Sequence, residues 1–154
     1  MHFHKKFAFS LLATALAATA LPASAVTLRI GNQGDALSMD PHSLNESLQL
    51  SVTENVYEPL VVRDRDYKLS PALATAWKQT SPTVWHFDLR KGVQFHDGTP
   101  FTADDVIFSY ERAKSDGSDM KTYVGQIKEI KKINDHSIDV ITLAPFPILP
   151  ELFT

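Results

Sequence analysis

Apolar residues fall along this chain in short runs whose spacing changes from one stretch to the next. From Phe7 to Leu21, FAFSLLATALAATAL, they are nearly continuous. Val26, Leu28 and Ile30 then alternate with polar neighbours, which predicts a first strand over Val26–Asn32. A loop, GNQGDALSMDPHS, follows, with a turn signal at Asp40-Pro41. Leu48, Val52 and Val56 recur at four-residue spacing between Ser43 and Tyr57, as on one face of a helix, and Pro59 is expected to close it because proline has no amide to continue the ladder. Leu60–Arg63 reads as a short strand leading into a polar turn through Asp64–Asp66. Ser70-Pro71 has the form of a cap followed by proline at the first helical position, so a short helix is expected through LATAWKQ, with Ser81-Pro82 as the next punctuation.

The alternation returns in VWHFDLR. Trp85, Phe87 and Leu89 point one way and His86, Asp88 and Arg90 the other, the pattern of a half-buried strand with a polar face. Gly92 breaks it, Val93 and Phe95 resume it on a second short strand, and Asp97-Gly98 supplies a tight turn. A helix then starts at TPFTADD. Thr102 fits the N-cap, Asp105 the capping-box position, and Phe101 and Val106 the two staple positions. Asp104 and Asp105 also sit at the positive end of the helix dipole. RAKSDGSDMKTY reads as a polar surface loop. Ile127, Ile130 and Ile133 recur every three residues, which fits a helix or a twisted strand. Asn134-Asp135-His136 makes a turn into SIDVITL, a firm strand by its Ile138, Val140, Ile141 and Leu143. The prolines of APFP end that strand. In ILPELFT, Leu149, Leu152 and Phe153 form an apolar face that needs burial, as expected of the N-terminal part of a longer chain; residues 26–154 alone are expected to expose strand edges and to aggregate.

The first 25 residues stand apart. Lys5 and Lys6 precede the apolar run, and small residues at Ala23 and Ala25 end it, the build of a secretory signal peptide cleaved after Ala25. Phe7–Leu21 is shorter than the roughly 20 residues that span a bilayer. The chain has no cysteine, which excludes disulfides, a thiol nucleophile and a cysteine-linked lipid. Such a leader without lipidation points to the periplasm of a Gram-negative bacterium. The formal charge of −3 becomes more acidic once Lys5 and Lys6 are removed, and the absence of basic runs argues against nucleic acid as a partner.

Chemistry is concentrated in His86 and in the triplet His96-Asp97-Gly98. Two imidazoles and a carboxylate could hold zinc or iron, so one reading is a secreted metal-dependent hydrolase using His86, His96 and Asp97. Against it, His86 lies on a strand face and His96 beyond a glycine break, and no H-E-x-x-H is present. Two of the nearby aspartates have capping work and Asp97 has a turn to make. The scaffold reading is preferred, with no catalytic residue, metal or cofactor.

Trp85–Val106 resembles the signature W-x-F-x-L-R-K-G-V-x-F-H-D-G-x-P-F-x-A-x-D-V of the family 5 extracellular solute-binding proteins. SMDPH (Ser38–His42), NVYEPLV (Asn55–Val61) and LSPALATAW (Leu69–Trp77) fall in that family's order, and DHSIDVITLAPFP is similar to its strand-then-proline segment. The resemblance implies a mixed α/β fold, the N-terminal part of a two-lobed periplasmic binding protein of type II-like architecture. Residues 26–154 would be one portion of it, with the second lobe missing. It also implies a non-enzymatic receptor that binds peptides or similar small solutes and delivers them to the permease subunits of an ATP-binding-cassette importer. By the same resemblance the loop after Asp40-Pro41 borders the cleft, which makes Asn45, Glu46 and Ser47 the candidate ligand-binding residues; the competing reading has Asn45 or Ser43 simply capping the next helix.

Overall fold

Two antiparallel hairpins, joined along their second strands, make the four-stranded sheet that carries the core. The computed structural model describes residues 26–154, so the leader lies outside the described residues. One hairpin is β3 (Ala74–Ser81) with β4 (Val84–Leu89), turning at Pro82-Thr83; the other is β5 (Ile127–Asn134) with β6 (Ser137–Thr142), turning at Asp135-His136. β4 and β6 pair antiparallel, giving the order β3-β4-β6-β5. The register sets Phe87 against Ile138 and Trp85 against Val140. Phe87, Ile138 and Val140 are fully buried, so the seam between the hairpins is also the centre of the core. On the opposite face His86 lies between Lys78 of β3 and Asp139 of β6.

The helix α2 (Ala103–Lys114) buries Ala103, Val106, Tyr110 and Ala113, an interval of three or four residues that keeps one face inward. Its start follows the sequence. The Thr102 hydroxyl accepts the Asp104 amide at 3.3 Å, and the Asp105 carboxylate accepts the Thr102 amide at 2.7 Å. Two further bonds fix α2 to the second hairpin: the Ala103 amide donates to the Asp135 carbonyl at 2.9 Å, and the Tyr110 hydroxyl donates to the Ile127 carbonyl at 3.0 Å.

Before the sheet, α1 (Ser47–Thr53) is followed by a small hairpin of β1 (Val61–Arg63) and β2 (Leu69–Pro71). The stretch expected to be a loop, RAKSDGSDMKTY, is helical at both ends: α2 runs through its Arg112–Lys114, and one helical turn, α3 (Lys121–Val124), begins in its last residues. A 3₁₀ turn over Leu149–Phe153 completes the packing. Leu149 is fully buried and Phe153 meets Phe87 edge-on at 5.4 Å, so the apolar face of ILPELFT lies on the core.

Several expectations are corrected. Val26–Asn32 forms no strand and its apolar side chains are exposed; an alternating segment with no ladder to join cannot hold the extended state. LATAWKQ is not helical but enters β3, where Trp77 pairs with Phe87 and stacks on it at 6.4 Å; pairing and burial override the helix preference of its alanines and leucine. Pro71 accordingly ends β2 rather than opening a helix. The first helix stops at Thr53, well before Pro59, because the Asn55 side chain donates to the carbonyls of Ser51 and Val52 and closes the last turn. Val93 and Phe95 make only an isolated bridge between Gln94 and Pro100 around the Gly98 turn, where φ is 87°. The three-residue spacing of Ile127 and Ile130 proves to be a strand: a register shift between Ile127 and Glu129 turns both side chains inward.

Tyr67, at the β1–β2 turn, takes a positive φ of 60°, and the residue is 80% exposed. Left-handed backbone costs a non-glycine residue about 1 kcal/mol or more. Tyr67→Gly should therefore raise stability by roughly 0.5 kcal/mol after the extra chain entropy of glycine is subtracted. Phe87→Ala should lower it by about 3–5 kcal/mol. Both are read from urea unfolding midpoints, and a destabilised Tyr67→Gly would show that the ring makes contacts worth more than the backbone strain.

Candidate functional site

His86, His96 and Asp97 do not come together as a site. His86 Nδ1 donates to Asp139 at 2.6 Å across the β4–β6 pair, and its Nε2 lies 3.5 Å from Asp88. His96 is exposed in the Gly98 turn. Asp97 accepts the amide and the hydroxyl of Thr99 at 2.9 and 2.7 Å, and these bonds hold its carboxyl below the usual carboxylate range. Among the described residues no group of three or more His, Asp or Glu side chains is placed to hold a metal ion. The triplet is a hairpin tip, and the hydrolase reading has no geometry behind it.

The loop after Asp40-Pro41 leads elsewhere. Glu46 is the cap of α1, its carboxylate accepting the amides of Leu48 and Gln49 at 3.0 and 3.1 Å. Neither Asn45 nor Ser43 performs that task. Ser43 turns back to donate to the Asp40 carbonyl at 2.9 Å, and Ser47 is exposed on the first turn. That frees Asn45, whose side-chain amide donates to the Tyr123 hydroxyl of α3 at 3.2 Å.

Tyr123 in turn is one wall of an open cavity of about 270 Å³, lined also by Thr122, Gln126, Phe146 and Leu152. Each wall is anchored. The Trp85 indole donates to the Phe146 carbonyl at 3.1 Å, the Leu143 amide donates to the Gln126 carbonyl at 3.0 Å, and Leu152 belongs to the 3₁₀ turn. The lining carries no ionisable group except the Tyr123 phenol. Its volume lies below the roughly 300–1,000 Å³ of sites that enclose a whole ligand.

Two anchors position the loop that carries Asn45. Gln49, fully buried, accepts the amides of Leu37 and Ser38 at 3.0 and 3.2 Å and donates to the Ser38 carbonyl. Further along, Asp40 accepts the His42 amide at 3.0 Å and pairs with Arg112 at the end of α2, while the His42 carbonyl accepts the Asp119 amide at 3.0 Å. Burial pushes the His42 imidazole down from its ordinary pKa, Arg112 adds to this, and Asp40 opposes it. Sequence reasoning did not find Tyr123 or Arg112. They lie 78 and 72 residues from their partners, and no local pattern marks either.

Against known proteins, the family model for bacterial extracellular solute-binding proteins, family 5 Middle, matches residues 68–154. The periplasmic oligopeptide-binding protein OppA of Escherichia coli (strain K12) is 29% identical over 145 residues, covering 82% of this chain and 27% of that protein. The crystal structure of Haemophilus influenzae OppA in complex with RPPGFSPFR aligns with a TM-score of 0.74 at 25% identity, over 78% of this chain and 27% of that one. That of NikZ from Campylobacter jejuni in complex with Ni(L-His) aligns at 0.69, with 25% identity over 78% and 24%. The chain spans about a quarter of the length of these relatives. The mixed α/β arrangement is thus part of a periplasmic binding-protein fold.

If the His86 and His96 segments are scaffold, excess zinc should leave the thermal unfolding midpoint unchanged, because only a ligand that prefers the folded state can raise it. A rise of several degrees that vanishes in His86→Ala would restore the metal site.

Proposed function

The chain belongs to the bacterial extracellular solute-binding proteins, family 5, and we propose that it acts in the periplasm as a receptor that binds peptides and passes them to the permease subunits of an ATP-binding-cassette importer. The observation that carries this reading is the family match over residues 68–154, which takes in the whole four-stranded sheet and α2. Peptide is favoured as cargo because relatives matched here are named for oligopeptides and one solved neighbour holds a peptide, although another holds a nickel–histidine complex. In this reading Met1–Ala25 directs export, and residues 26–154 supply the N-terminal part of the solute-binding unit.

The proposed ligand-facing surface is the Asn45–Ser47 loop together with the cavity beside Tyr123. A peptide lying along this loop would place one side chain in the cavity and run its extended backbone past polar groups at the mouth, the usual way strand-like peptides are held. Asn45 and Tyr123 are the groups best placed to exchange their mutual bond for bonds to ligand. Glu46 and Ser47 border the same path, Glu46 with its carboxylate already bonded to two amides of α1.

Native mass spectrometry of protein purified from periplasm without denaturation should show added mass matching short peptides, lost on unfolding. By titration calorimetry, Asn45→Ala and Tyr123→Ala should each weaken the captured peptide by about 1 kcal/mol. Protein that carries only a nickel chelate and gives no heat with peptides would overturn the peptide assignment while leaving the family intact.

A further inference from the structure

Among the described residues two buried ring nitrogens lack a hydrogen-bond partner, His136 Nδ1 and His42 Nδ1, and the second sits beside charged groups of two elements. His42 Nδ1 is closed off from solvent and has no hydrogen-bond partner. The residue itself is held firmly. Its amide donates to Asp40, and its carbonyl accepts from Asp119 in the connection after α2. The charged groups acting on the imidazole are Arg112 of α2 and Asp40 of its own loop. Both Asp40 carboxylate oxygens are already engaged, one by the His42 amide and the other by the Arg112 guanidinium, and neither is bonded to the His42 ring. A proton on Nδ1 would place a donor without an acceptor at an atom closed off from solvent, and a second cation beside Arg112, both costly. Three residues downstream, the same loop presents Asn45 to Tyr123.

We infer that Asp40, His42 and Arg112 form a proton-sensitive clasp that positions the Asn45–Tyr123 contact, and that protonation of His42 releases the loop and opens the mouth of the cavity. His42 is thus a positioning residue for the proposed ligand surface, acting through its loop and not by touching ligand. Its lowered pKa agrees with this geometry. Because the folded state binds the proton less readily than the unfolded state, the stability His42 contributes is complete above the ordinary histidine range. It declines as pH falls from there toward the lowered value and levels off below it. The consequence for cargo, weaker holding in acid, rests on the receptor reading; the clasp itself does not.

The test is a pH titration by ¹H–¹⁵N NMR on the ¹⁵N-labelled chain between about pH 8 and pH 5, the span in which histidine changes charge. The Asn45 side-chain amide, the Asp119 backbone amide and the His42 ring should move with one midpoint, below that of an ordinary histidine. In His42→Gln the first two signals should stay still over the same range. Arg112→Gln, which removes the repelling cation, should raise the His42 midpoint toward the ordinary value, and it serves equally if the His42 variant folds poorly. A His42 ring that titrates while Asn45 and Asp119 stay fixed would overturn the clasp, as would an unchanged transition in His42→Gln. Peptide affinity should fall several-fold across the same midpoint in the native chain and stay flat in His42→Gln. Unchanged affinity alongside moving reporters overturns the control of binding, and no peptide binding at any pH alongside moving reporters supports the clasp and removes only the receptor reading.

Discussion

The packing of Gly34–Thr154 depends on the closure of β4 on both edges and on one face. β3 takes one edge and β6 the other, and Phe87 fills the core between Trp77, Ile138 and Phe153. A strand buried in this way cannot slip by one residue without turning Phe87 outward and His86 inward, so its register is set by the cost of burying the wrong face. The second hairpin is fixed because β6 must match β4. In turn, α2 is fixed because its first amide and Tyr110 bond to that hairpin. The cavity follows from the same chain of constraint, since Trp85 of β4 holds the Phe146 wall.

Much of this core could be read from the residues in order. The alternation in VWHFDLR, the capping box at Thr102 and Asp105, the Asp97-Gly98 turn and SIDVITL are local signals, and each is where the sequence places it. The failures have one physical origin. Whether LATAWKQ is helix or strand is decided by Phe87, and whether Val26–Asn32 is a strand depends on a pairing partner that no local pattern reports. The isoleucines of β5 looked ambiguous because a register shift changes the period of an otherwise ordinary strand.

The candidate ligand surface was legible only in half. The resemblance drew attention to Asn45, Glu46 and Ser47, but only the fold separates their tasks, with Glu46 closing a helix end and Asn45 reaching α3. The opposite half, Tyr123 and the cavity wall, lies in a stretch whose polar composition says no more than surface loop. Contacts formed over more than 70 residues leave no periodic trace, because neither partner needs a special neighbour for the bond to form.

The pairing of His86 with Asp139 spans 53 residues of chain. A strand whose second neighbour is made so much later cannot be completed as it emerges, and loop closure over that distance slows the step that consolidates the core. The sheet therefore stays incomplete until its last-made strand arrives: β3 and β4 can pair as a local hairpin, but the edge of β4 that takes β6 stays open until the chain has run through α2 and β5.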